Sequence, residues 1–310
     1  MTSKKYFLIY LLCIIIHYNG FTQKTKSYNK ISINDFVKKD ASELQGLASS
    51  NNSDSGFFCS TKITSNFYNC FPTLFHERLH EYNLSLDASK KDNYRRYFFN
   101  NAVISIEKDS VFSTSLIDQI VPAKLKMSSS RYKTYVMGID LFNEKRSPDT
   151  KENGIYGLIE EFTAYYYGSL VFSKLYTYTK NTYPLDSTDI WLNYLNGKGN
   201  TVIAYYEIKL FIAYYLLYAK KNRPTLYRRL FLNEELNKFI CNIDCEYKTL
   251  VDEYWLLRSE IIKKSKNKII VTNGYILSRD NNERFELPDK NIEELISYFT
   301  PEVLAILNCN

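Results

Sequence analysis

The stretch YGLIEEFTAYYYGSLVFSKLYTY, residues 156–178, decides the fold. Apolar and aromatic side chains fill it too densely for a surface strand, whose side chains alternate between core and solvent, and it is long enough for a helix. It reads as a long helix sunk in a core. Upstream, a helix is expected from about Pro72 to Leu84, since proline is tolerated in a first turn where its missing N–H would be unpaired anyway. A short amphipathic helix is expected at Asn34 to Leu47, and another at Ser113 to Val121, ended near Pro122. Downstream, the pattern gives helices over Thr201 to Lys221, stopped before Pro224, then Pro224 to Ile240, Tyr247 to Lys264 and Asn291 to Leu307. Strand character is confined to Val103-Ile104-Ser105-Ile106 and to two runs, Ile269-Ile270-Val271 and Tyr275-Ile276-Leu277, which flank Asn273-Gly274, a dipeptide favoured by tight hairpin turns. The fold class is therefore mainly α with minor β (α+β), a helical core carrying a small C-terminal β-hairpin.

The chain has 310 residues, 45% of them hydrophobic, enough to bury a real core. With no internal repeat and no Gly/Ser linker, the expected organisation is a signal peptide at 1–22, a polar lead-in at 23–55 and one mostly helical domain at 56–310. The formal charge of +6 includes Lys4 and Lys5 and is spread without a basic block, so nucleic acid is not an expected partner. Lys4 and Lys5 precede an apolar run, Tyr6 to Ile16, and a polar stretch from His17 to Gln23, the order of a secretory signal with cleavage after Thr22. That run is short of the roughly 20 residues a membrane helix needs. No later segment is expected to cross a bilayer, leaving no stable span after cleavage, and the protein is expected outside the cytoplasm, as a periplasmic, cell-surface or secreted chain. Export permits disulfides, and Cys59–Cys70 and Cys241–Cys245 are the local pairings, although the odd number of cysteines beyond Cys13 leaves the connectivity open.

Chemistry concentrates in Phe75-His76-Glu77-Arg78-Leu79-His80, which contains H-E-x-x-H. On a helix, residues four apart share a face, so His76 and His80 can grip one metal ion, and Glu77 is placed to take a proton from a metal-bound water. Scarcity sharpens the motif: of three histidines, His17 lies in the expected signal peptide and the other two are this pair. A catalytic zinc needs three protein ligands and one open position, so the third must be something other than histidine. Glu160 and Glu161 stand in the apolar helix of residues 156–178, where an unpaired charge is expensive to bury and coordination would remove that cost.

His76-Glu77-x-x-His80 followed by Glu160-Glu161-x-x-Ala164-Tyr165 resembles the gluzincin group of zinc metallopeptidases, whose third ligand is a glutamate on a second helix. The resemblance covers two short motifs. It implies a zincin-like helical core, a Zn2+ cofactor held by His76, His80 and Glu161, with Glu160 as the alternative ligand, Glu77 as general base, and a peptide or protein substrate. Arg78 departs from the family's usual uncharged residue. The group that completes the oxyanion site is left open among Tyr165, Tyr205, Tyr206, Arg131 and Tyr132, because no histidine remains for it. A non-catalytic reading, in which a zinc-binding or metal-free module uses the same helices to bind a partner, stands beside the peptidase.

Overall fold

Two long helices without a polar face form the centre of the molecule. The computed structural model describes residues 33–49, 67–88, 92–139, 149–280, 284–307 and 309; the expected signal peptide and Cys59 lie outside them. The chain runs through α1 (Ile33–Asp40), a 3₁₀ turn and α2 (Gln45–Ser49) into α3 (Phe67–Ala88), the hairpin β1 (Tyr94–Phe99) and β2 (Ala102–Glu107), and a 3₁₀ turn, Thr114–Gln119. Three short helices follow: α4 (Ala123–Ser128), α5 (Tyr132–Tyr135) and α6 (Asp149–Asn153). Then come the central pair, α7 (Ile155–Thr182) and α8 (Thr188–Asn222), with α9 (Pro224–Leu232) and α10 (Glu234–Lys264). Strands β3 (Ile269–Thr272), β4 (Tyr275–Ser278) and β5 (Arg284–Glu286) precede α11 (Asp289–Ser297) and α12 (Pro301–Leu307). The protein is mainly α with two small antiparallel sheets, β1-β2 and β3-β4-β5.

Helix α7 is the hub, packing against α3, α8 and α10. Buried tyrosines tie its surroundings together, because a phenol ring fills core volume while its hydroxyl needs a partner. Tyr97 donates to the Tyr156 carbonyl at 3.0 Å, Tyr194 to that of Phe172 at 3.0 Å and Tyr215 to that of Phe112 at 2.9 Å. Gly154, at φ +54 just before α7, is compelled twice over: a Cβ there would lie 2.5 Å from the Phe112 carbonyl oxygen. Residues 33–49 join the same core, with Phe36, Val37, Leu44 and Leu47 buried and Phe36 edge-on to Phe71 at 5.3 Å.

Several boundaries differ from the sequence pattern, each for a visible reason. Helix α3 starts at Phe67, so Pro72 lies inside it; the buried Phe67, Tyr68 and Phe71 hold the preceding turns against the core. Helix α8 starts thirteen residues before Thr201 and runs through Gly197 and Gly199, residues of low helix propensity. Gly197 is a contact residue instead, since a Cβ there would meet Phe172 Cζ at 2.5 Å and the Tyr68 carbonyl oxygen at 3.1 Å. Helix α10 is continuous through Cys241–Asp244, and the break falls earlier, at Asn233, whose side chain caps the Leu236 N–H at 3.0 Å. Pro301 divides the last helix in two. The β3-β4 hairpin turns at Asn273 and Gly274 (φ 48 and 79), and β5 adds a strand to it.

The cysteine connectivity, left open by the sequence, is settled in part. Cys241 is bonded to Cys309, and Cys245 is free and exposed. One turn apart on a straight helix, Cys241 and Cys245 stand farther apart than a disulfide spans, whereas α12 returns to lie beside them. Cys70 is also disulfide-bonded, while the Cys59 end of its expected link lies outside the described residues. In addition, α8 is long and apolar enough to cross a membrane by length and composition, with mean hydropathy 1.3 in its best window, of which 78% is buried inside the protein.

Candidate metal centre

Helices α3 and α7 lie against each other, and the faces they share carry the site. One turn apart on α3, His76 and His80 turn their Nε2 atoms toward each other at 3.2 Å. From α7, Glu161 brings Oε2 to 3.5 Å from His76 Nε2 and Oε1 to 3.7 Å from His80 Nε2. All three side chains are largely covered, at 12%, 25% and 12% exposure for His76, His80 and Glu161. Ala164, one turn behind Glu160 on α7, is fully buried. The three donors lie within 4.8 Å of one another.

These separations are those of a small cation's coordination edges. Ligand atoms about 2.0–2.2 Å from a tetrahedral ion stand about 3.3–3.6 Å apart. Two imidazole nitrogens at 3.2 Å need either a proton between them or a cation shared by both. Glu161 Oε2, moreover, is buried without a hydrogen-bond partner among the described residues, a costly arrangement unless something positive sits there. The residues present fit a divalent metal, and two imidazoles with one carboxylate leave a fourth position open. The donor set suits zinc without being specific to it.

Glu160 has a different task from its neighbour. Its Oε1 lies 3.0 Å from His80 Nδ1, and its Oε2 pairs with Arg95. Of the two adjacent glutamates, it is thus Glu161 that joins the cluster, with Glu160 behind His80. Burial opposes charge on His80, yet Glu161 and Glu160 outweigh it and hold its imidazolium well above the ordinary histidine range. Burial likewise disfavours the Glu161 carboxylate, but His80 and His76 hold it well below the usual carboxylate range. Without a metal, the cluster is an ion-paired network.

Comparison with family models, curated proteins and solved structures returns no match.

Glu77 is partly buried, and among the described residues it has no hydrogen-bond or ion-pair partner. One residue past His76, it is turned about 100° around the α3 axis, which leaves its carboxylate uncommitted. Among the five oxyanion candidates the structure brings Tyr165 to the cluster, with Arg131 behind it. Tyr165 sets its ring edge-on to His76 at 4.6 Å, and the Arg131 guanidinium lies 4.7 Å from the Tyr165 ring while pairing with Glu207 at 2.6 Å. Tyr132 instead bonds Asp118, Tyr205 bonds Asp244 at 2.8 Å, and Tyr206 packs on Phe299 at 6.3 Å. The sequence reading missed Tyr135, whose hydroxyl is 3.1 Å from that of Tyr165, and Arg95. Arg95 had a signal: it stands in YRRYFF, an aromatic run where a charge needs a partner just as Glu160 does.

Proposed function

We propose that the protein is an exported zinc-dependent peptidase whose ligands are His76, His80 and Glu161, with Glu77 as general base. The observation that carries this reading is the convergence of an H-E-x-x-H pair and a later glutamate on one small volume at metal-edge separations, with one carboxylate oxygen left unsatisfied. A zinc ion held there would supply a water acidified to near neutrality and an electrophilic position for a carbonyl oxygen. Glu77, without a competing partner among the described residues, accepts the proton of the attacking water and returns it to the departing amine. Tyr165 packs edge-on against His76 and limits its ring to one orientation, and the Tyr165–Tyr135 hydroxyl pair with Arg131 above it is a source of donors for developing negative charge. The Cys241–Cys309 bond and the half-cystine Cys70 support export into an oxidising compartment.

The second reading is a non-catalytic zinc-binding or metal-free module at the cell surface, and one observation favours its metal-free form: Glu160 at 3.0 Å and Glu161 at 3.7 Å from the His80 ring raise its pKa, so an imidazolium there would offset their charge without an ion. Hydrolysis of a mixed fluorogenic peptide library by the Zn2+-loaded chain separates the readings. The peptidase reading expects Glu77→Gln to retain zinc and lose at least about a hundredfold in kcat. Retained turnover in that variant removes Glu77 from the role, and absence of turnover in a zinc-loaded wild type favours the binding module.

A further inference from the structure

We propose that Arg95 is a positioning residue for the metal centre: acting through Glu160, it holds His80 in the tautomer whose Nε2 lone pair faces the ion. The inference rests on the metal-binding reading of His76, His80 and Glu161 and adds to it a residue from outside both motif helices.

A neutral imidazole carries one proton, and whichever nitrogen donates a hydrogen bond leaves the other free to coordinate. Glu160 Oε1, 3.0 Å from His80 Nδ1, asks for the proton at Nδ1 and so frees Nε2. A glutamate side chain has three rotatable bonds, so the carboxylate fixes the ring only if it is fixed itself. Arg95 does this. Strand alternation places Arg95, Tyr97 and Phe99 on the α7 side of β1, where they meet Glu160, the Tyr156 carbonyl and Tyr166 respectively. One Arg95 nitrogen, Nη2, takes the second oxygen of Glu160, and Nη1 lies 3.4 Å from Asp87 Oδ2.

Asp87 in turn accepts the Arg96 backbone N–H at 2.9 Å, and Asn83 accepts that of Phe98 at 2.9 Å, so α3 side chains lock the register of β1. Asp87 lies two turns beyond His80 on α3. The relay Asp87, Arg95, Glu160, His80 is therefore a closed loop through α3, β1 and α7 that returns to the helix it started from. At 11% and 5% exposure, Arg95 and Glu160 exchange these partners for water only at a large desolvation cost.

The test uses the full chain with Zn2+ alone as the probe, competed against a chromophoric chelator, together with the 15N-labelled histidine spectrum of the metal-free protein. Outer partners of metal-binding histidines commonly contribute about 10–100-fold in metal affinity. Arg95→Met should weaken Zn2+ binding by about that factor and speed solvent exchange of the His80 Nδ1 proton, and Arg95→Lys should recover most of both. A merely structural role moves the thermal midpoint but not the exchange of one imidazole proton. Zn2+ affinity within twofold of wild type in a folded Arg95→Met chain, or unchanged Nδ1 exchange, overturns the proposal. Should Arg95→Met fail to fold, Asp87→Asn loosens Arg95 while keeping its contact with Glu160, and unchanged Nδ1 exchange there overturns it equally. A wild-type chain that takes up no Zn2+ sinks the metal reading instead, while the exchange measurement still judges the clamp.

Discussion

Replacing Glu161 by glutamine removes one charge from the cluster and almost nothing else. The amide is isosteric, and Glu161 is largely buried at 12% exposure, so the helix crossing of α3 and α7 is left in place. What is lost is the anionic member of a donor set whose spacings already match a small cation. Structural zinc sites with four ligands bind with about 10–16 kcal/mol, or about 2.5–4 kcal/mol for each ligand. At about 1.4 kcal/mol per decade, Glu161→Gln should weaken Zn2+ binding by about two to three orders of magnitude. Glu160→Gln is the control, because its amide oxygen can still accept from His80 Nδ1, and its loss should stay within about 10–100-fold. Competition against a chromophoric chelator at fixed pH and ionic strength measures both, with circular dichroism confirming the fold. Equal affinities for Glu161→Gln and wild type, or a larger loss from Glu160→Gln than from Glu161→Gln, would refute the assignment of the third ligand.

Two other consequences are independent of the metal. Gly197→Ala pushes a methyl to 2.5 Å from Phe172 Cζ and 3.1 Å from the Tyr68 carbonyl oxygen, so despite better helix propensity it should lower stability by about 1–3 kcal/mol in thermal or urea unfolding; an unchanged midpoint would mean that the helix crossing yields freely. Lys198 is fully buried beside Glu253 at 2.6 Å, and burial outweighs that pairing to lower its pKa below 10.5. Between the lowered folded value and 10.5 the unfolded chain holds this proton and the folded chain does not, so native stability gains from Lys198 as pH rises through that window. Lys198→Met should abolish the gain and change stability at neutral pH by no more than about 1 kcal/mol, because Glu253 is a third exposed and keeps Ser173 at 2.7 Å. Stability curves against pH that superimpose for the two chains would contradict this.

Periodicity made the helical class legible, and the spacing of His76, Glu77 and His80 made half of the site legible with it. Glu161 was reachable because a charge in an apolar helix demands a partner. What the sequence hid was long-range. Local propensity cannot register that Phe172 and Tyr68 need the space a side chain at Gly197 would fill, or that Tyr254 and Pro288 crowd Gly199. Strand β1 was missed although Asn100 and Asn101, at φ 48 and 61, make its turn, since the paired arginines of YRRYFF obscure the alternation. The Cys241–Cys309 bond joins residues 68 apart, and only the return of α12 brings them together. Arg95 and Tyr135 reach the cluster through tertiary packing, as does the division of labour between Glu160 and Glu161. Two adjacent carboxylates on a helix point about 100° apart, and which one faces α3 depends on how α7 is rotated in the core.

The central claim is that one divalent ion is held by His76 Nε2, His80 Nε2 and an oxygen of Glu161. Zinc-edge X-ray absorption on the Zn2+-loaded chain, with Glu161→Gln and His80→Ala alongside, addresses it directly. The account predicts two imidazole nitrogens at about 2.0–2.1 Å and oxygen ligands at about 2.0–2.2 Å in wild type, with one imidazole lost from the His80→Ala spectrum and the oxygen shell altered by Glu161→Gln. Zinc bound with fewer than two imidazoles, or a spectrum indifferent to both substitutions, would contradict it.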